Sequence, residues 1–351
     1  MTSSHLKFET AVRRLFELLR CATGMAIVRY GIAGQPVGHS LSPLLTALVA
    51  AHLGLPVSDK QLKMELVEVS TLTDALAWGY AGAIPTPAPW AYTGSVFGKF
   101  RTSALLKKAV DGAMEELVPH PSLLATSPVS PPAHVSFEGL PTRMFDEEIW
   151  MNLTSPLKHQ LDSSAVVCID DSMATKSVNT LRWDGRGWWC AGLDGDGVIA
   201  VFRHHGIEPE HHVLGLCGGG GGARSTASAW VKAGGELHLL PSRRTLEDGD
   251  WSSSIGQAAP HAVVDFDGTQ NPPSDGPLFL RASYEPMEGD FNARLKRCSE
   301  PCLDGRWLLV AQHLACWQRL WAPERAADLP SLALLMTRLL RAEAVLDAYA
   351  S

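Results

Sequence analysis

Two hydrophobic rhythms divide this chain. The stretch Ala26-Ile-Val-Arg-Tyr-Gly-Ile-Ala33 is apolar and rich in β-branched residues, which predicts a strand. Ser42-Pro43 then opens an apolar run to about Leu53, stopped by Gly54. This predicts a helix with Ser42 as N-cap and Pro43 at its first position. Ahead of both, Leu6, Ala11, Val12, Leu15, Leu18 and Leu19 fall at helical spacing and predict an amphipathic helix over residues 5–20. From His211 the rhythm becomes strand, turn, helix, strand. Val213–Cys217 is a short apolar run, five glycines follow from Gly218 to Gly222, Ala223–Ala233 is helical by composition, and Glu236–Leu240 is the next strand. That order starts a nucleotide-binding βαβ unit. Beyond Pro330, residues Ser331–Tyr349 form a Leu/Ala-rich helical run.

One segment breaks both rhythms. Between Ile84 and Pro141 stand nine prolines, around a helical stretch near Ser103–Leu117. This reads as an insertion in the first domain. Proline content argues for a surface excursion, and long insertions cost little in loop-closure entropy.

Composition narrows the classes. The chain has 351 residues, enough for two domains with separate cores. A net charge of −7 supplies no basic surface and argues against nucleic acid as a partner. Seven cysteines without regular spacing fit a reducing cytosol better than a disulfide framework. Cys298 and Cys302 lack a second pair, so no metal is expected. No signal pattern stands at the N-terminus and no apolar run reaches membrane-spanning length, so a cytoplasmic protein is expected.

The chemistry-bearing residues lie in an ordered series: Gly34-Gln-Pro-Val-Gly-His-Ser-Leu-Ser-Pro43, Asn152-Leu-Thr-Ser-Pro-Leu-Lys158, Val178-Asn-Thr180, Asp194-Gly-Asp-Gly197, the glycines, Ser242-Arg-Arg-Thr245, and Asp304-Gly-Arg-Trp-Leu-Leu-Val-Ala-Gln312 with Trp321 beyond. A lysine with a carboxylate in reach is suited to proton transfer at a carbonyl, since the opposite charge favours and orients the ammonium. Hydroxyl and amide side chains suit a polyol acid. The glycines admit a diphosphate at a helix N-terminus. Taken alone, such a run is equally a flexible loop, and its place between strand and helix favours the cofactor reading.

That series resembles the shikimate dehydrogenase family from Tyr30 to Trp321, except in the segment before Asn152. The resemblance implies a two-domain α/β fold. An N-terminal substrate domain would cover 1–196, with its insertion at about 84–141, completed by C-terminal helices in 305–351 that pack back on it. A Rossmann-like NADP-binding domain would cover 197–304. It implies Lys158 and Asp196 as the catalytic pair, and Ser40, Ser42, Thr154, Asn179, Tyr284 and Gln312 around the substrate. Gly218, Gly220, Gly221, Arg224, Arg243, Arg244 and Thr245 would hold the cofactor. Two guanidiniums at the second-strand end, with no acid in that strand end, favour a ribose 2′-phosphate and hence NADP.

Three departures stand against the family pattern. Thr46-Ala47 replaces His-Asn. Asp194-Gly195 replaces Asn-Thr before the expected catalytic Asp196. Val263-Val-Asp-Phe-Asp-Gly-Thr269 replaces the loop that normally lies near the nicotinamide. The implied function is NADP-dependent reversible reduction of 3-dehydroshikimate to shikimate. Quinate or aminoshikimate oxidoreduction, or a catalytically weak ligand-sensing homologue, remain open at this stage.

Overall fold

The computed structural model describes residues 27–55, 62–81, 99–125, 147–272, 275–299 and 301–350. The helix expected over residues 5–20, and the insertion apart from residues 99–125, lie outside the described residues.

The first half is a six-stranded sheet. Its strands are β1 (Ile27–Gly34), β2 (Leu62–Glu68), β3 (Glu147–Leu153), β4 (Val166–Cys168), β5 (Thr180–Trp183) and β6 (Trp188–Ala191), in the order β2-β1-β3-β5-β6-β4. β1 runs parallel to both β2 and β3, and β5 is antiparallel to both β3 and β6. β1 is apolar except at Arg29, whose guanidinium lies over the Trp78 ring, because it is covered on both faces. One face meets α1 (Ser42–His52), in which every residue from Ser42 to Ala50 is buried. The other face meets α2 (Leu72–Ala81), through a cluster that includes Trp78, Ile149, Met151 and Trp188.

Leu41 occupies the N-cap of α1 with no side-chain cap, which corrects the placing of Ser42 there. Ser42 is the first helical residue, and its amide donates to Ser40 Oγ at 3.2 Å. Capping passes to Ser40, two residues upstream.

The stretch read as an insertion contributes α3 (Lys99–Met114), and this helix is not a surface excursion. Leu105, Leu106, Ala109, Val110 and Ala113 are buried in the main core with residues of α1 and of α8 (Leu332–Ala350). Arg338 Nε donates to the Glu116 carbonyl at 3.0 Å, and Arg341 pairs with the Glu116 carboxylate at 2.7 Å. Each leucine so buried contributes about 1.5–3 kcal/mol. The prolines bracket the helix and say nothing about the depth of its apolar face.

The second half is a five-stranded parallel sheet. It comprises β7 (Val213–Cys217), β8 (Glu236–Leu239), β9 (Ala262–Asp265), β10 (Leu278–Arg281) and β11 (Cys302–Leu303), in the order β11-β10-β9-β7-β8. α4 (Asp194–His204) leads into it, α5 (Gly221–Lys232) joins β7 to β8, and α6 (Phe291–Cys298) precedes β11. α7 (Gly305–Cys316) returns the chain to the first half through a π-helical turn at Trp317–Trp321. Trp321 stacks on Trp150, with ring centroids 5.5 Å apart. Arg182, buried and paired with Glu148 at 3.0 Å, also donates to the Leu320 carbonyl. The fold is therefore a two-sheet α/β architecture with α4 and α7 between the sheets. Among the described residues no helix is long and apolar enough to cross a membrane.

Candidate active site

Lys158 lies in a short helical turn, Leu157–His159, just past the end of β3. Its Nζ donates to Asp194 Oδ2 at 2.7 Å. Asp194 is nearly enclosed, with 4% of its side chain exposed against 23% for the lysine. The partner expected from sequence was Asp196, and the structure corrects this. Asp196 pairs with Arg319 of the π-helical turn, and both side chains are about one-third exposed. The reason is helical geometry. Two residues along a helix turn the side chain by roughly 200°, so only one aspartate of Asp194-Gly-Asp-Gly197 can face Lys158. Asp194, not Asp196, is therefore the aspartate set against Lys158. The aspartate that stands as a departure in the sequence is the lysine's partner.

Packing fixes that choice. A Cβ on Gly195 would lie 2.3 Å from the Ser225 carbonyl of α5, and one on Gly197 would lie 3.1 Å from the Gln312 amide of α7. α4 is thus wedged between two helices. Three side chains receive amides at its start: Asp170 Oδ2 from Gly192 at 2.9 Å, Asn179 Oδ1 from Leu193 at 2.9 Å, and Ser225 Oγ from Gly195 at 3.0 Å. Asp170, Asp194, Ser225 and Arg319 were missed in the sequence. Of these, only Asp194 carried a signal there, since it too precedes a glycine.

A polar wall runs from this pair across the first sheet. Asn179 is fully buried, and its Oδ1 also accepts from Thr180 Oγ1 at 2.9 Å. Its Nδ2 has no protein partner. A buried donor without a partner calls for a water or ligand oxygen. Next along, Asn152 Oδ1 accepts from the Tyr30 phenol at 2.8 Å, and Ser42 lies beside that phenol. Cys316 Sγ closes the floor, 3.1 Å from Thr180 Oγ1, and burial pushes its thiol up to about 12, so it stays protonated. At the far end the Leu41 amide donates to the Tyr284 hydroxyl at 3.1 Å, with Ser40 beside it. Burial raises the Tyr284 phenol, which keeps it a neutral donor and acceptor. Thr154 is held at the turn after β3, its amide donating to the Ala33 carbonyl at 2.9 Å. Gln312 is partly exposed on α7, where its backbone contacts α4.

The glycines lie at the N-terminus of α5. Gly218 takes φ +130°, a region that favours glycine. A Cβ on Gly219 would lie 2.2 Å from the Thr245 carbonyl, one on Gly221 3.1 Å from Lys158 Cβ, and one on Gly222 2.8 Å from the Phe266 ring. No acidic residue stands in the first turn of α5. Beside the loop, a cavity of about 310 Å³ is lined by Leu216, Gly218, Leu239, Ser242, Thr245 and Leu246. A pocket of mixed apolar and hydroxyl lining at the ends of β7 and β8, next to a side-chain-free helix N-terminus, fits a dinucleotide.

Three expected cofactor residues behave differently from one another. Arg224 donates to the carbonyls of Thr175, Lys176 and Gly219 at 2.8, 2.7 and 2.9 Å. Its guanidinium therefore braces the loop against the first half. Arg243 is held by Asp267. Arg244 is exposed, its Nη1 3.8 Å from a Cβ placed on Gly220. Among the described residues no group of three or more His, Cys, Asp or Glu could hold a metal ion.

The fold and the cleft define a two-sheet α/β protein with a dinucleotide-type half. No protein-family model matches the chain. It is 24% identical over 325 residues to the shikimate dehydrogenase (NADP(+)) of Anaeromyxobacter sp. (strain Fw109-5), covering 84% of this chain and 92% of that one. A shorter match, 31% identical over 126 residues, is to the like-named protein of Acidiphilium cryptum (strain JF-5), covering 32% of this chain and 45% of that one. Among solved structures it is similar to shikimate 5-dehydrogenase from Thermus thermophilus in complex with NADP(H) and shikimate. That likeness has a TM-score of 0.51 and 17% identity, covering 90% of this chain and all 100% of that one. The chain is similar to shikimate dehydrogenases over most of its length and shares their fold.

Proposed function

We infer that this chain is an NADP-dependent oxidoreductase that interconverts 3-dehydroshikimate and shikimate. The observation that carries the reading is the position of the Lys158–Asp194 pair. It closes one end of a polar, partly enclosed wall while Lys158 packs against Gly221 of the nucleotide-type loop. A reacting carbonyl above that wall has a proton source on one side and the cofactor loop beside it.

Bound NADPH supplies the hydride. Lys158 Nζ gives a proton to the developing alkoxide, or takes one from the hydroxyl in the reverse direction. Asp194 holds the ammonium in place and accepts a hydrogen bond from a neighbouring substrate hydroxyl. Asn179 Nδ2, the buried donor without a protein partner, meets a ring hydroxyl. Ser40, Ser42 and Tyr284 take the carboxylate at the far end, and Thr154 and Gln312 line the intervening ring. Arg244 and Thr245 stand at the adenosine side, and Gly220 and Gly221 offer their amides to the diphosphate. Arg224 acts through the loop it braces. The net charge of −7 fits an enzyme of small molecules rather than of nucleic acid, and a cytoplasmic location belongs to the same proposal.

The test is a panel of shikimate, quinate and aminoshikimate with NADP⁺ or NAD⁺, read at the nicotinamide absorbance. Turnover fastest with shikimate supports the reading. Turnover fastest with quinate or aminoshikimate moves the substrate. Shikimate binding without turnover of any panel member replaces the reading with a ligand-binding homologue.

A further inference from the structure

The second-strand end carries no acid of its own, but the fold brings one to it. Asp267 belongs to the loop after β9. Its Oδ2 accepts the Arg243 backbone N–H at 2.6 Å, and the Arg243 guanidinium donates to the Asp267 carbonyl. Its Oδ1 lies 3.7 Å from a Cβ placed on Gly218. The carboxylate therefore stands between the first loop glycine and the turn after β8.

That placement is built into the loop. Asp265 is fully buried and accepts the amides of Asp267, Gly268 and Gln270 at 3.0, 2.8 and 2.9 Å. Gly268 takes φ +65°. Gln270 Nε2 donates to the Pro241 carbonyl at 2.7 Å. The loop is tied to the second-strand turn at Asp267 and again at Gln270.

In a βαβ dinucleotide unit the space between the first glycine and the second-strand end receives the adenosine ribose. A carboxylate there accepts from a free 2′-hydroxyl and repels a 2′-phosphate. Two charges thus act in opposite directions: the exposed Arg244 guanidinium attracts the phosphate, and Asp267 opposes it. Arg243, turned to the Asp267 carbonyl, reinforces the loop rather than the phosphate.

We propose that Asp267 is a specificity-determining residue that offsets Arg244 at the adenosine ribose. The chain then binds NAD as well as NADP, and its preference for NADP falls well short of that of a site with two available guanidiniums. This inference rests on the dinucleotide reading above.

Calorimetric titration of the full chain with NADP⁺ and NAD⁺ tests it without turnover. The wild-type affinities should lie within about tenfold of each other. Asp267→Asn and Asp267→Ser each keep an acceptor for the Arg243 amide and remove the charge. Both should raise the NADP preference by about tenfold or more, mainly by tightening NADP⁺. Arg244→Ala should shift the ratio toward NAD⁺ by a similar factor, and Arg243→Ala should change both affinities alike. A wild-type preference for NADP⁺ beyond about a hundredfold overturns the proposal. So does a ratio that stays within about twofold in both Asp267 variants. A wild-type protein that binds neither nucleotide removes the dinucleotide reading, and the proposal with it. Binding of both with an unmoved ratio removes the proposal alone.

Discussion

The two halves of this protein differ in how they depart from the resembled family pattern. The six-stranded half departs by addition. Its sheet, its Lys158 turn and its polar wall stand together, and α3, from the stretch read as an insertion, packs against α1 and α8. The five-stranded half departs by replacement. Its strand order and glycine turn are present, but the loop after β9 is rebuilt around Asp265 and lies against the second-strand turn. An added helix that meets α1 and α8 through its apolar face brings apolar contacts rather than charge to its neighbours. A replaced loop within the site brings new charges to it. Change of substrate chemistry is therefore less expected here than change of cofactor balance.

The largest expected effect tests the arrangement that the first half keeps intact. Lys158→Ala and Asp194→Asn should each lower turnover by at least about a hundredfold, the usual contribution of a positioned acid-base group. Shikimate affinity, measured by titration, should change much less. Near-normal turnover in either variant would remove the pair from the chemistry.

The next effect tests whether the addition is part of the core. Deleting residues 86–135 strips α3 from α1 and α8, and insoluble or non-cooperatively melting protein is expected. The milder Leu106→Ala should cost about 2–5 kcal/mol in chemical denaturation, the range for truncating a buried leucine. A soluble, cooperatively melting deletion would return α3 to the surface.

A smaller effect is set by pH. His313 of α7 is buried with neither ring nitrogen bonded, and burial pulls it down to about 3. Burial and the neighbouring His204 pull His205 down to about 4. Both folded values lie below the unfolded value, so the unfolded chain binds the protons first as pH falls. The stability they contribute is complete above about pH 6.5 and is lost progressively toward pH 4 and then 3. Each can contribute a slope of up to about 1.4 kcal/mol per pH unit. Denaturation at pH 7 and pH 5 should show the drop, and His313→Leu should flatten it. An unchanged slope would mean that His313 is not held neutral.

Much of this was readable in advance, for a physical reason. β1, β7, α5 and β8 follow from local rhythm because strands buried on both faces are apolar runs and a glycine turn interrupts them visibly. α8 was expected at Ser331–Tyr349 and spans Leu332–Ala350. The depth of α3 was not readable, because apolar spacing shows that a face is buried and not what covers it. Nor was Asp267, which reaches the turn after β8 only through a fold between two strands. The aspartate register was the subtlest miss. Asp194 and Asp196 each precede a glycine, so a motif cannot separate them, whereas helix rotation and two close helix contacts can.

The smallest expected effect sharpens that register. Asp196 and Arg319 are 31% and 32% exposed, so water screens their attraction, and such a pair contributes about 0–1 kcal/mol. Asp196→Asn and Arg319→Gln should leave turnover within about threefold of the parent, with a correspondingly small loss of stability. The contrast with Asp194→Asn is the informative quantity, because the two substitutions make the same chemical change two residues apart on one helix. A loss for Asp196→Asn as deep as for Asp194→Asn would mean that Lys158 changes partner during turnover. A small loss for the first and a deep one for the second leaves Asp194 alone at the reacting end of the cleft.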